Sequence, residues 1–256
     1  ADAMIKGMRM RIGVCVSQDG VTWGRVEGDD PSGACMNPYV KDDPNLVDIG
    51  IMTDDDGTPV PIREELYCAW PDVVVKQDND EEQGGFLMYY STMTKDDKQK
   101  SIAYATSSDG FRWYKGGVCV EPEAGTLDSD GCARCSVVRN AVFVEGNGWL
   151  ESEGYTMYYE GVSNSDSKHR IMVAESPDGM AWTKKGVALD IGDEDGSWDN
   201  SGVGSPHILR LDDGSQRMYY TGQGPNQSTA IGVANLPKGD KIWQREQATI
   251  TFAEVV

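Results

Sequence analysis

Glu160 is the side chain whose position most clearly suggests chemistry. It ends an aromatic run, YTMYYEG (155–161), where the sister runs of the sequence have Ser91 and Thr221. Arg134 heads the β-branched run that precedes it, so one repeat contains both a carboxylate and a guanidinium. A neighbouring arginine lowers the pKa of a carboxylate, which suits a base or a ligand better than a general acid. A salt bridge with no further role is the alternative.

Asp72 and His207 share one repeated position, because each follows a proline near the start of a β-branched run. Asp199 precedes the run that contains His207. Trp70 and Trp198 lie next to these residues in the sequence and have aromatic faces on which a planar or ring-shaped ligand could stack. Two carboxylates on one surface could act as a general acid and a general base.

Acidic residues are concentrated in the stretches that separate the repeats, which are 24–69, 116–133 and 186–204. When these stretches are aligned on the strand that follows, Glu65, Asp130 and Asn200 fall at one repeated position. A ring of carboxylates at that position could hold sugar hydroxyls or a cation. A solvated loop surface is the alternative.

Metal and disulfide chemistry have weaker support. The run Asp193-Glu194-Asp195 has oxygen ligands for calcium but lacks the spaced set of a dedicated loop. Cys132 and Cys135 form a lone C-x-x-C without the second pair that a zinc site needs. We therefore expect no cofactor and no metal site, and we expect the six cysteines to be free thiols.

The chain has 256 residues and a net charge of −19, which argues against nucleic acid and anionic membranes as partners. A carbohydrate or another small ligand is compatible with such a surface. No apolar run reaches the roughly 18 residues that span a membrane. The first residues lack the apolar core of a leader peptide, so we expect a soluble chain, with the compartment and the oligomeric state left open.

A repeat predicts the fold. Three segments align, RIGVCVSQDGVTW (11–23), SIAYATSSDGFRW (101–113) and RIMVAESPDGMAW (170–182), and 230–243 is a degenerate copy. Each has an alternating apolar strand, which we call strand C, followed by a turn with Asp-Gly or a variant of it and a returning strand D. In the three clear copies, strand D has a tryptophan three residues after the glycine. The turn aspartates Asp19, Asp109 and Asp178 are expected to shape these turns rather than to bind ligands.

Aromatic and β-branched runs complete the repeat. An aromatic strand B precedes each of the last three copies of strands C and D, and a β-branched strand A precedes strand B. Such a four-stranded meander is typical of a β-propeller blade. We predict an all-β chain, a single propeller domain over 1–256 with an insertion loop at 31–66. Because the chain starts at a C strand, either the termini close one blade together or the chain is part of a longer one.

The meander predicts which residues share an end. Strand A starts at the end where strand B finishes, so the residues that head A strands meet those that end B strands. Arg134, Asp72 and Glu160 are therefore expected at the mouth of one central funnel.

These B strands and the S-x-D-G-x-x-W hairpins resemble the five-bladed propellers of glycoside hydrolase families 43, 32 and 130, the arabinanase, levansucrase and invertase superfamily. The resemblance covers residues 9–245. It implies hydrolysis or transfer at a glycosidic bond by two carboxylates in the central funnel. Those families have acidic residues at the heads of the A strands, whereas this chain has Trp70, Cys135 and Ser205 there.

Two functions remain as hypotheses. A glycosidase-like enzyme would use Asp72 or Asp199 as base or nucleophile and Glu160 as acid. A non-catalytic propeller would bind a glycan or a protein, with Trp70 and Trp198 as stacking platforms. In either case the other predicted ligand contacts are Asp130, Arg134 and His207.

Overall fold

The computed structural model describes residues 10–27, 33–42, 50–76, 85–193, 197–225 and 228–246. These residues form fifteen β-strands and no helix, which confirms the all-β prediction. Within these ranges, accordingly, no helix is long and apolar enough to cross a membrane. All six cysteines are free, as expected.

The first strands of the described residues form a two-stranded hairpin, β1 (Val14–Val16) and β2 (Gly24–Val26), which we call unit 1. A short strand, β3 (Gly50–Ile51), follows it. Unit 1 corresponds to strands C and D of the predicted repeat. The interpretation of 31–66 as an insertion falls partly outside the described residues.

Three complete antiparallel meanders follow. Unit 2 consists of β4 (Glu65–Lys76), β5 (Gly85–Thr94), β6 (Lys100–Ser107) and β7 (Tyr114–Val120). Strand β3 pairs in parallel with β7 at its outer edge.

Unit 3 consists of β8 (Gly131–Val144), β9 (Gly148–Val162), β10 (His169–Ser176) and β11 (Thr183–Leu189).

Unit 4 consists of β12 (Gly202–Arg210), β13 (Gln216–Gln223), β14 (Thr229–Leu236) and β15 (Gln244–Arg245). Strand β8 packs against both β4 and β12, so the first strands of the three units converge.

The Asp-Gly turns are built as the sequence predicts. In the turn of unit 2, the Asp109 carboxylate accepts hydrogen bonds from the backbone N–H groups of Phe111 and Arg112. The indole N–H of Trp113 donates to the carbonyl of Gly110. Asp19 and Asp178 make the same contacts in units 1 and 3, so all three aspartates shape turns.

Neighbouring units are joined by one repeated aromatic contact. The Tyr89 ring of unit 2 packs edge-on against Trp182 of unit 3, with the ring centroids 5.6 Å apart. Tyr158 of unit 3 packs against Trp243 of unit 4 at the same distance. Edge-to-face pairs of this kind stabilise the packing beyond the area that they bury.

Each complete unit also contains a buried carboxylate that is neutralised internally. In unit 2 the Glu65 carboxylate accepts a hydrogen bond from the Tyr90 hydroxyl at 2.8 Å and pairs with the Lys115 ammonium at 2.6 Å. Lys115 is only 1% exposed. We call this arrangement the carboxylate–tyrosine–cation contact. It joins the start of the first strand to the second and fourth strands of its unit.

The same contact recurs in units 3 and 4. Asp128 accepts from the Tyr159 hydroxyl at 2.7 Å and pairs with Lys184 at 2.6 Å. Asp199 accepts from the Tyr220 hydroxyl at 2.9 Å and pairs with Arg245 at 2.8 Å. The cation always lies two residues after the hairpin tryptophan.

Removing the cation from this contact should destabilise the fold. Lys115→Met leaves the Glu65 carboxylate buried without its counter-charge, and we expect a loss of about 3–5 kcal/mol of unfolding free energy. Urea denaturation followed by tryptophan fluorescence measures this loss. The matched control is Lys95→Met, which removes an exposed ion pair with Glu64 and should cost under about 1 kcal/mol. Equal losses in the two variants would contradict the structural role.

Candidate functional site

The first strand of each complete unit has a β-bulge at one equivalent position. Trp70, Arg134 and Ser205 have φ values of 50°, 44° and 50°. The pairing register shifts at each of them. A residue other than glycine at positive φ costs of order 1–3 kcal/mol, and such residues cluster at functional sites.

The bulges correct the sequence alignment by one residue in unit 3. Asp72 pairs with Tyr89, Ser136 with Tyr158 and His207 with Tyr219. Arg134, rather than Cys135, is therefore the equivalent of Trp70 and Ser205. Cys135 is buried and is the equivalent of the two prolines at positions 71 and 206. The sequence could not show this offset because the residue after the bulge is not a proline in unit 3.

The end of each second strand holds the bulge of the next unit. The Ser91 hydroxyl of unit 2 accepts a hydrogen bond from the backbone N–H of Arg134 at 2.8 Å. The Glu160 carboxylate of unit 3 accepts one from the backbone N–H of Ser205 at 3.1 Å. A Cβ atom on Gly204 would lie 2.1 Å from Glu160 Oε2, so only glycine fits beside this carboxylate.

Glu160 is the centre of a cluster that we call the funnel site: Glu160, Arg134, His169, Ser205 and Trp70. Arg134 Nη1 lies 3.2 Å from both carboxylate oxygens of Glu160. His169 Nδ1 lies 2.7 Å from Oε1. The Arg134 guanidinium stacks over the Trp70 ring, 4.5 Å from its centroid. The predicted proximity of Arg134 and Glu160 is confirmed.

The Glu160 carboxylate is buried, whereas its partners reach the surface. Its side chain is 5% exposed, while those of Arg134 and His169 are 38% and 35% exposed. Burial raises the pKa of Glu160, but the His169 hydrogen bond and the Arg134 charge outweigh burial and hold that pKa below its ordinary value of 4.5. Glu160 is thus an anion that orients two exposed side chains.

Trp70 supplies a partly exposed aromatic ring at the site, one face of which carries the Arg134 guanidinium. The residue is 43% exposed, and its ring packs edge-on against Tyr67 with centroids 6.1 Å apart. A cleft of about 420 Å³ lies beside it, lined by residues 10–13, which precede β1, and by 68–71 of β4. An exposed indole next to a cleft is a surface on which a ring-shaped ligand can stack.

Asp72 lies two residues after the bulge residue Trp70, and its pKa is shifted in the opposite direction from that of Glu160. Its carboxylate accepts a hydrogen bond from the backbone N–H of Val137 at 2.7 Å, across the boundary between units 2 and 3. Burial raises the pKa of Asp72, opposed by that hydrogen bond and by the nearby His207. His207 itself is exposed. The equivalent Ser136 accepts from Ile208 N–H, so this position also ties neighbouring units together.

The remaining predicted site residues lie elsewhere. Asp199 is fully buried and makes its hydrogen bonds within unit 4, to Ser197, Tyr220 and Arg245. Trp198 is partly exposed and stacks on Tyr220. Asp130 is exposed at the start of unit 3.

The expected ring of carboxylates takes a different form. Glu65 has Asp128 and Asp199 as its structural equivalents, rather than Asp130 and Asn200, and all three carboxylates are buried and paired. They do not form an open ring at the funnel mouth. The repeated position escapes an alignment because Cys68 comes three positions after Glu65, whereas Cys132 comes four positions after Asp128.

No metal centre is present within the described ranges, where no group of three or more His, Cys, Asp and Glu side chains could hold an ion. Of the acidic run Asp193-Glu194-Asp195, only Asp193 lies inside those ranges; Glu194 and Asp195 lie outside them.

His169 is the member of the funnel site that sequence reasoning missed. It starts the third strand of unit 3, and the equivalent positions in units 1 and 2 are Met10 and Lys100. Its only signal was its place at the head of a repeated strand, directly opposite Val162 at the end of the strand that contains Glu160.

Solved structures with this architecture are glycoside hydrolase-like propellers. The chain is similar to a β-1,2-mannobiose phosphorylase from Listeria innocua, with a TM-score of 0.61 and 16% identity over 93% of this chain and 53% of that one. It is also similar to a putative glycosidase from Bacteroides thetaiotaomicron (TM-score 0.57, 21% identity, 93% and 62% covered). A third is Zg3597, a family 117 glycoside hydrolase from Zobellia galactanivorans (TM-score 0.55, 19% identity, 70% and 55% covered). These similarities establish the fold.

Sequence comparison adds one relative. The chain is 28% identical over 180 residues to "Uncharacterized protein MT1551" of Mycobacterium tuberculosis, which covers 68% of this chain and 52% of that protein. The chain therefore spans about half the length of this curated relative. No family model matches the chain.

The electrostatics of Glu160 can be measured directly. Because its folded pKa is lowered, ionised Glu160 stabilises the fold above about pH 4.5, and this stabilisation is lost as the pH falls through the folded pKa. In Arg134→Met, burial remains while the arginine charge is lost, so we expect Glu160 to titrate at a higher pH. Side-chain carboxyl ¹³C shifts against pH report the midpoint, with Asp72 as the internal control. An unchanged Glu160 midpoint would contradict the assigned cause.

Proposed function

We propose that this chain binds a carbohydrate at the funnel site, as a propeller of the glycoside hydrolase type. The observation that carries the proposal is the open surface of Trp70, Arg134 and His169, held in place by the buried Glu160 carboxylate. An aromatic platform beside directional polar groups is the combination that suits a sugar, which has both apolar ring faces and hydroxyls. Further contacts in this proposal come from Asp130, Trp198 and His207.

Hydrolysis of the bound carbohydrate is the second candidate, favoured by one observation. The pKa of Asp72 is raised and that of Glu160 is lowered, and a pair of carboxylates with opposite shifts can divide into acid and base. In this version Asp72 is the acid and Glu160 is the base, which reverses the roles expected from the sequence. Asp199 takes a structural role because its carboxylate is buried and paired with Arg245.

Two features of Glu160 favour binding over hydrolysis. Its two oxygens already accept hydrogen bonds from Arg134, His169 and Ser205, and its side chain is almost completely buried. A nucleophile or a base must reach the ligand. The anion instead fixes the orientation of the residues that a ligand would meet.

We also propose that the complete ring has five blades. The Tyr–Trp contact passes from unit 2 to unit 3 and from unit 3 to unit 4. Trp23 of unit 1 is 61% exposed, whereas Trp243 of unit 4, which has such a tyrosine partner, is 7% exposed. A ring would give Trp23 a partner from the preceding blade. The similar glycoside hydrolase propellers support a closed ring.

Loss of the aromatic platform should weaken carbohydrate binding. We expect Trp70→Ala to reduce the affinity for a bound oligosaccharide about tenfold, because stacking on the indole face is lost. Isothermal titration against saccharides selected on a glycan array measures the change. The matched control is Trp23→Ala, an exposed tryptophan on a hairpin turn of unit 1, which should leave the affinity unchanged. Equal affinity of the wild type and of Trp70→Ala for the saccharide would show that the Trp70 ring does not contact it.

Turnover separates the two candidates. If the propeller hydrolyses its ligand, Asp72→Asn should lower the release of reducing ends at least about 100-fold while the affinity for the saccharide stays within about twofold. Reducing-end assays on the array-selected saccharides measure turnover, and titration measures affinity. If the wild-type protein binds a saccharide but releases no reducing ends, the hydrolysis candidate is wrong and only the binding function remains.

A further inference from the structure

The funnel site has a specific set of unused polar groups. Arg134 donates hydrogen bonds to Glu160 through Nη1, and no acceptor from the described part of the chain contacts its Nη2 or Nε. His169 spends Nδ1 on Glu160, and its Nε2 likewise has no partner among the residues described. Both side chains are about one-third exposed, so these unused atoms are open to a ligand.

The shared partner determines what each unused atom can do. Glu160 is ionised because its pKa is lowered, so His169 Nδ1–H donates to it and the other ring nitrogen, Nε2, is left to meet a ligand. The Arg134 guanidinium is always charged, and its unused Nε and Nη2 form one planar edge with two parallel donors. A planar carboxylate matches that edge in a bidentate contact.

The charge around the site points in the same direction. The chain has a net charge of −19. At the site, however, the Glu160 carboxylate is buried and the Arg134 guanidinium is exposed. An exposed guanidinium on an otherwise acidic protein is a positive charge that an anionic ligand can reach.

Resting on the proposed carbohydrate binding, we propose that the funnel site recognises an acidic sugar. The Arg134 edge binds the oxyanion that the sugar carries, in the first place the carboxylate of a uronic acid. His169 Nε2 forms a hydrogen bond with a neighbouring hydroxyl of the sugar, and the part of the Trp70 ring that Arg134 leaves open packs against the sugar ring. The strained backbone of Arg134, at φ 44°, holds the guanidinium over Trp70 before the ligand arrives.

The test compares ligands that differ only in charge. The probes are a galacturonic acid trisaccharide and its carboxyl-reduced galactose counterpart, with galactose 6-phosphate as the arm for a phosphate oxyanion. We expect wild type to bind the uronic acid trisaccharide at least about tenfold more tightly than the neutral one. If galactose 6-phosphate binds more tightly than galactose while the uronic acid gains nothing, the site recognises an oxyanion, but that oxyanion is a phosphate rather than a carboxylate.

Two variants test the arginine. Arg134→Gln should abolish the preference for the acidic trisaccharide, because it should lower the affinity for that ligand about 10- to 100-fold more than the affinity for the neutral one. Arg134→Lys keeps the ion pair with Glu160 while losing the planar fork, so it should fold normally and lose most of the preference. The control is Arg63→Gln, which removes a surface arginine paired with Asp96 and Asp97.

The outcomes separate this inference from the proposed function. Equal affinity of wild type for the acidic and the neutral trisaccharides overturns the acidic sugar alone. An equal loss of both ligands in the Arg134 variants also overturns it. No saccharide binding by wild type in any assay overturns the proposed function as well.

Discussion

The carboxylate–tyrosine–cation contact is the interaction on which the rest of this fold depends. In each complete unit it joins the loop before the first strand to the second and fourth strands, so it fixes where the first strand begins. Burying a charge is costly unless it is paired and hydrogen-bonded, and Glu65 meets both conditions through Tyr90 and Lys115. Antiparallel pairing alone would allow the first strand to slip along its neighbour, and a slip by one residue would turn its side chains to the other face. The buried contact removes that freedom in each unit.

A fixed buried contact in turn fixes the bulge, which lies five or six residues after the carboxylate. In units 3 and 4, the end of the preceding unit's second strand accepts a hydrogen bond from the backbone N–H of the bulge residue. Ser91 does this for Arg134, and Glu160 does it for Ser205. The substitution of a carboxylate for a hydroxyl at this one position converts a structural hydrogen bond into a charged centre. The funnel site is therefore a structural joint of the propeller that has acquired charge, with Gly204 leaving the space that the larger side chain needs.

Much of the fold could be predicted from the sequence because its signals are local. Asp109 and Gly110 specify a turn through contacts within five residues. In the strands on either side, the alternation of apolar and polar residues indicates which face is buried. The candidate site was only partly predictable. The Arg134–Glu160 pair followed from meander geometry, whereas the buried equivalence of Asp128 with Glu65 did not, because the loops before the first strands differ in length. Cys135 was aligned with the wrong partners because it stands where units 2 and 4 have the proline that marks the residue after the bulge. The Trp-x-Lys/Arg pattern, Trp113 to Lys115 for example, was visible in the repeat and marks the cation of each buried contact.

The way in which this chain neutralises its acids bears on whether the funnel is a site of catalysis or of recognition. A catalytic pair needs at least one carboxylate that meets the ligand, with a pKa set by a partly dry environment. Of the two carboxylates at the funnel, Asp72 is tied to the Val137 backbone and Glu160 accepts hydrogen bonds from three residues. Each is thus employed in holding neighbouring units together. The groups left facing outward are a guanidinium edge, an imidazole nitrogen and an indole face, which suit the binding of a ligand better than the cleavage of one. Because of this distribution, the site favours recognition of a ligand over catalysis, although the chain shares its fold with glycoside hydrolases.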